Sequence, residues 1–306
     1  MTDTPKSFQI YGVLLIAQLA IGAAAIFARY SMHAAGPIMA SALRLTIASI
    51  LVLAFSWRKS RQISVPRKHE ILFAACGLAL SIHFCSWFVS LVYTSVAIST
   101  LLVCTSPAWT ALYDTVILKK PASNKFWLAF AAGALGVGLI ASTKSAAASI
   151  SGAALMGDLC ATIGGIAFAA YLVAIRTVSS NYTTTVIVGR TYFWAAVFLC
   201  IAALSFHDKW PGSDLISWGG IIAMALISQT LGHTALNASL RWFSASTVAF
   251  STLLEPIFAG VLAAIIFSEK LSLQQIVGST IVLIAMAVIL RIQGPVDAKT
   301  TSIPNP

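Results

Sequence analysis

The sequence predicts an all-α membrane protein: ten transmembrane helices, arranged as two five-helix inverted-topology repeats around a central cavity. Three observations predict it. Only 9% of the 306 residues are charged and 58% are hydrophobic, with a mean hydropathy of +0.89; a soluble domain carries about 25% charged residues. Ten apolar runs reach the ~20 residues that a spanning helix needs. The second half of the chain also resembles the first in order and spacing.

The ten runs cover 8–31, 38–57, 69–92, 95–118, 125–142, 154–177, 185–206, 215–241, 244–267 and 271–291. Short punctuation such as "HAAGP", "KKPASN" and "DKWPGSD" separates them. The longest polar link, "WRKSRQISVPRKHE", carries five Lys/Arg. Residues 1–145 form the first five-helix unit and 146–292 the second; the tail 293–306 has no apolar period and reads as disordered. The first run has no convincing cleavage site and is long enough to stay as a span.

Charge sets the orientation. With the N-terminus inside, thirteen Lys/Arg fall on the cytoplasmic side, while Arg29, Lys144, Lys209 and Lys270 fall outside. That bias predicts two cytoplasmic termini. It also accounts for the net charge of +10 without nucleic acid. The five cysteines all lie in apolar runs, with no CxxC pair and no Cys/His spacing for a metal, so they read as small apolar side chains. No metal and no cofactor are expected. The sequon at Asn181-Tyr182-Thr183 is assigned to the cytoplasmic side and given no weight.

The internal likeness is clearest where "STLLVCTSPAWTALYDTVILKK" (99–120) is laid on "VAFSTLLEPIFAGVLAAIIFSE" (248–269), which sets Pro107 on Pro256. Tyr93 then meets Trp242, Arg29 meets Arg176, and Arg44 lies within one gap of Arg190. Five spans per unit is an odd number, so the second unit enters the membrane from the opposite face. Inverted repeats place solute sites near the midplane between the halves.

The stretches "PIMASALRLTIASILVL" (37–53), "SPAWTALYDTVILKK" (106–120), "WLAFAAGALGVGLIAS" (127–142) and "LLEPIFAGVLAAIIFSEKLS" (253–272) resemble the drug/metabolite transporter superfamily. The chain is similar to its ten-helix EamA-type exporters, and most like those for aromatic amino acids in bacteria. The resemblance implies a basket-shaped bundle that exports amino acids or similar small metabolites across the bacterial inner membrane by alternating access. The expected partners are a small solute and membrane lipid, and the internal duplication lets a single chain form the pathway. One departure is Lys119-Lys120, where many relatives end the first unit in Gly-Glu; the second unit ends in Ser268-Glu269.

Polar residues inside the spans are the candidate site, because each costs roughly 2.5–3.5 kcal/mol in a bilayer if charged. Glu255 stands before Pro256, which removes the amide that would bond the Thr252 carbonyl. Either it shapes or gates that helix, or it contacts a proton or the solute. Pro107 and Pro256 are candidate hinges. His83 and Trp87 share a helix face and would offer an imidazole and a flat apolar wall, or else bonds to neighbouring helices. Gln229, His233, Asn237 and Arg241 form a second stripe. Gln18 is a cavity donor or an interhelical bond. Phe168 and Tyr171 line the cavity or belong to the core. Arg44 and Arg190 read as a structural ion pair or a carbonyl clamp, and Asp114 and Asp158 as local partners of helix ends.

Three other functions are weighed. Proton-coupled multidrug efflux would place a carboxylate where Gln18 stands. Exchange of nucleotide-linked sugars would need several basic residues in the cavity. An intramembrane enzyme would need a nucleophile beside His83 or His233, and no such motif occurs, so no enzyme activity is expected.

Overall fold

The computed structural model describes residues 7–60, 63–117, 119–142, 152–267 and 271–295, and contains helices and turns with no strand among them. Ten helices are long and apolar enough to cross a membrane: Phe8–Ser31, Pro37–Phe55, Arg67–Tyr93, Val96–Ile117, Asn124–Ser142, Gly152–Arg176, Thr184–Ser205, Leu215–Ser239, Ala245–Ile266 and Leu273–Ile292. They agree with the ten expected spans to within two residues at each end. Expectations for Ser268-Glu269 and for 296–306 of the tail lie outside the described residues.

Helix ends fall where side chains can take over from backbone partners. Ser95 accepts from the Ile98 amide at 3.2 Å and starts the fourth span. Ser244 accepts from Thr247 at 3.0 Å and starts the ninth. A capping box of Ser272 and Gln275 starts the tenth. Each satisfies amides that a helix start leaves open. Large apolar side chains such as Leu128, Leu204 and Ile265 point outward from the bundle, as a lipid-facing belt requires.

Four spans are interrupted. The first is divided into Ser7–Gly22 and Ala24–Ser31. The fourth is divided into Val96–Val103 and Ser106–Ile117, and the ninth into Ala245–Ser251, a 3-10 turn Thr252–Leu254, and Glu255–Phe267. Pro107 and Pro256 are each the second residue of the new helix, in the first turn, where proline's fixed φ already suits the helix. In the eighth span, Met224–His233 is π-helical between α-helical ends.

The Thr252 carbonyl, which Pro256 deprives of its ordinary donor, receives the Glu255 amide and, at 3.6 Å, the Cys104 thiol from the break in the fourth span. The fourth and ninth spans therefore meet at their breaks. Cys104 is a backbone partner as well as a small apolar residue.

The strongest packing joins the first span to the eighth, the second to the seventh, the third to the sixth and seventh, the fourth to the sixth, and the fifth to the tenth; the fourth also meets the ninth. At the fifth–tenth crossing the backbones nearly touch. A Cβ on Gly136 would lie 2.7 Å from the Gly278 carbonyl oxygen, and one on Gly278 would lie 2.5 Å from that of Gly136. Small residues permit this approach, and dispersion holds it.

Two polar clusters tie the bundle near its ends. Arg190 pairs with Glu70, whose other oxygen accepts from the Trp194 indole at 2.9 Å. Nearby, His69 and the Tyr182 hydroxyl lie 2.6 Å apart. At the opposite end, Asp208 accepts from the Met39 amide at 2.7 Å and so caps the second span, while Gly36 donates to the Lys209 carbonyl at 2.8 Å. Asp214 caps the eighth span through Ser217 and lies 3.2 Å from His33. Hydrogen bonds from Ser217, side chain first and then amide, hold its carboxyl below the usual carboxylate range, with a further contribution from His33.

Gly136→Ala is expected to lower stability by about 1–3 kcal/mol through overpacking. Gly138→Ala, where an added Cβ meets nothing within 4 Å, should be neutral or mildly stabilising. Thermal unfolding in one detergent compares them. Because the Asp214 carboxyl is depressed in the folded state, its stabilisation is present above the unfolded value of about 3.9 and is lost as pH falls through the folded value. Melting temperature should therefore fall more steeply on acidification in the natural protein than in Asp214→Asn, which keeps a neutral cap.

Candidate functional site

The spans enclose a cavity of about 1010 Å³. The first, third, fourth, fifth and ninth spans supply most of its wall, with single residues from the second, sixth, eighth and tenth. It reaches the face on which the first span ends and the fourth begins, where Arg29, Tyr30, His33 and Ser95 line it.

At the other face the helices close on one another. Ser246 donates to the Asp114 carboxylate at 2.8 Å and so joins the fourth and ninth spans beyond their breaks. Arg176 donates to the Phe243 carbonyl at 3.1 Å, Thr247 to Gln293 at 3.0 Å, and the Tyr11 and Phe243 rings lie 5.6 Å apart. The cavity is thus asymmetric: it reaches one face and is shut at the other.

Its polar cluster is compact. His83 lies 4.7 Å, ring to ring, from both Phe84 and Phe168, and His233 lies 5.2 Å from Phe84 and 6.1 Å from Phe168. The Nδ1 of His83 is 2.9 Å from the Gly164 carbonyl oxygen. A carbonyl only accepts, so Nδ1 carries the proton and, in the neutral ring, Nε2 is left as an acceptor. This approach needs Gly164, whose backbone lies against the third span. His233 Nδ1 is buried without a hydrogen-bond partner among the described residues.

Arg44 joins this cluster. Its guanidinium carbon sits 3.9 Å over the Phe84 ring, and Nη2 donates to the Gln229 side-chain oxygen. No carboxylate pairs with it among the described residues. The π-helical turn sets the register of Gln229 and His233, so that Gln229 meets Arg44 and His233 reaches the cavity. Wider turns of this kind recur at functional sites.

Of the residues singled out from the sequence, His83, Trp87, Phe168, His233, Glu255 and Pro256 lie on the cavity wall. Glu255 is half-buried, and its carboxyl has no hydrogen-bond or ion-pair partner among the described residues. Gln18 and Tyr171 lie behind the wall. Gln18 is fully buried and donates to Ser251 at 2.7 Å, tying the first span to the ninth just before its break. The Tyr171 hydroxyl donates to Asn237 at 2.6 Å, and Asn237 donates to the His233 carbonyl at 2.7 Å. Pro107 is buried outside the wall, in the turn after Cys104.

Sequence reasoning missed two participants. Arg44 was read as structural, on the strength of its match with Arg190, yet only Arg190 has an acidic partner. No signal in the neighbouring turns separates the two arginines, because Arg190's own span also lacks an acid and its partner Glu70 comes from the third span. Cys104 carried no signal beyond its place two residues before Ser106-Pro107.

The family description that matches the chain is "EamA-like transporter family", over residues 9–142 and 155–291. Comparison with curated proteins finds no match. A crystal structure of another protein is similar over 94% of this chain and 98% of its own, with a TM-score of 0.77 and 16% identity. That likeness bears on the fold alone. With its two matched stretches and ten apolar helices, the chain belongs to the EamA-like transporter family.

Proposed function

We propose that the protein is a secondary transporter that exports amino acids, aromatic and other neutral ones, or similar small metabolites, by alternating access. It acts as a single chain in the bacterial inner membrane, with both termini cytoplasmic. The observation that carries this reading is the asymmetric cavity: it lies where two helices broken at Pro107 and Pro256 meet, and it is shut at one face only. In the orientation set by Lys and Arg, the described state is open outward.

The inverted repeat has support in the packing. Moving every span number by five turns the first–eighth pair into the sixth–third pair, the third–seventh into the eighth–second and the fourth–sixth into the ninth–first, all of which pack, and leaves the second–seventh, fourth–ninth and fifth–tenth pairs unchanged. A pairing pattern that survives the exchange lets the two halves trade roles. The broken helices supply the freedom, since each half-helix keeps its own ladder while the turn between them bends. Closure at the far face rests on few polar bonds, of about 1–3 kcal/mol each. Two states separated by only a few kcal/mol can both be populated.

The wall suits small, partly apolar solutes with a few polar groups. Glu255 supports a second reading, proton-coupled export of the same solutes, because an unpaired carboxyl on a cavity wall in the membrane interior costs stability unless it is protonated or met by a cation.

The test uses purified protein in liposomes with labelled tryptophan and threonine, with and without a pH gradient. Uptake above empty liposomes without a gradient is the expected result for a facilitator. Uptake that needs the gradient, and is lost in Glu255→Gln, assigns coupling to Glu255. Failure of both amino acids sinks the substrate assignment. Pro107→Ala and Pro256→Ala should each slow transport, and unchanged rates in both would remove the hinges.

A further inference from the structure

Arg44 is the most expensive residue that the fold carries into its interior. It is 1% exposed, far from either end of an apolar span, and has no acid beside it. A cation held there without a counter-ion costs several kcal/mol even after partial compensation. The compensation present is incomplete. Gln229 accepts from one guanidinium nitrogen, and the Phe84 and Phe88 rings lie 3.9 and 5.8 Å from its carbon. Nε and Nη1 have no hydrogen-bond partner among the described residues. The contrast with Arg190 is informative, because that residue uses Glu70 as a local acid and stays off the cavity wall.

We propose that Arg44 is the subsite for a carboxylate on the transported solute, with the Phe84, Phe168 and His83 rings receiving the solute's planar apolar part. The proposal deepens the transport reading and rests on it. Three observations converge on it: a buried guanidinium on the cavity wall, its unpartnered donors, and the rings around it. The His83 Nε2 lone pair and the His233 Nδ1 complete a cluster able to bond further polar groups of the solute. A single cation in this cluster favours a monoanion. A phosphate ester, with close to two charges, would leave one unanswered, since Arg29 lies at the mouth beside Tyr30 and His33. The unpartnered nitrogens are closed to water in this state, so binding must move a covering side chain to expose them. An arginine so placed would be stabilised by its solute and left uncompensated in the empty protein.

The test measures binding to the intact protein in lipid nanodiscs, which keeps it independent of flux. The probes are phenylalanine, 3-phenylpropionate, which lacks the amine, and phenethylamine, which lacks the carboxylate. The expected result is saturable binding of both carboxylates, weaker by about tenfold or more in Arg44→Gln, the factor for one charge-assisted hydrogen bond. Arg44→Lys should restore part of that loss, and phenethylamine should be indifferent to the residue at 44. Phenethylamine binding as well as 3-phenylpropionate in the natural protein would overturn the proposal. So would unchanged carboxylate affinity in Arg44→Gln, or no saturable binding of either carboxylate. The first comparison needs no variant, so misfolding of Arg44→Gln cannot hide the answer. Carboxylates that fail to bind while another solute is transported would remove this assignment and leave the transporter reading standing; absence of flux for every solute would remove the transporter reading.

Discussion

A backbone carbonyl released inside a membrane has no water to turn to, and the structure depends on how that need is met where the fourth and ninth spans break. An unpaired peptide group costs several kcal/mol in hydrocarbon. The breaks at Pro107 and Pro256 are therefore confined to the interior, where the fourth span's break can serve the ninth's. The Cys104 thiol and the Glu255 amide serve the Thr252 carbonyl, and the Gln18 amide reaches Ser251 on the preceding turn. Gly22, at the break in the first span, fits against the Glu255 carbonyl and Phe258. Three interruptions gather in one region, and the cavity forms beside them.

The charges follow the same logic with different solutions. Arg190 and Glu70 neutralise each other where the third and seventh spans pack, and Trp194 orients the acid. That pair is self-sufficient and stays away from the cavity wall. Arg44 and Glu255 both stand on the wall and have no ion-pair partner among the described residues.

Much of the architecture was legible because lipid imposes a simple rule. Runs of about 20 apolar residues define spans, and the Pro107–Pro256 match in the sequence points to the two breaks. Side-chain roles were less legible. Glu255, His83 and Trp87 announced themselves as polar or aromatic groups at interior levels, and they line the cavity. Tyr171 and Gln18 sent the same signal but are used in packing, since polarity in a span does not say which neighbour a face meets. Arg44 shows the converse. Its pairing with Arg190 in the repeat suggested a shared role, yet helix rotation and the π-helical stretch opposite it give the two arginines different partners.

The central claim is that the closed and open ends of the cavity exchange through the broken fourth and ninth spans. Beyond the breaks, the closing bond joins Ser246 to Asp114; the positions that match them in the repeat are Ala97 and Ala263, so closure at the other face has no such bond. The most direct measurement is pulsed electron–electron distance spectroscopy in liposomes. One label pair sits at Val92 and Ile265 on the open side, the other at Ile117 and Arg241 on the closed side. The account predicts two populations per pair, with the open-side distance short whenever the closed-side distance is long. Ser246→Ala should enlarge the population in which the closed side has opened, by about tenfold or more, the factor for a hydrogen bond to a carboxylate. A single distance at each pair, unaltered by solute and by Ser246→Ala, would contradict it.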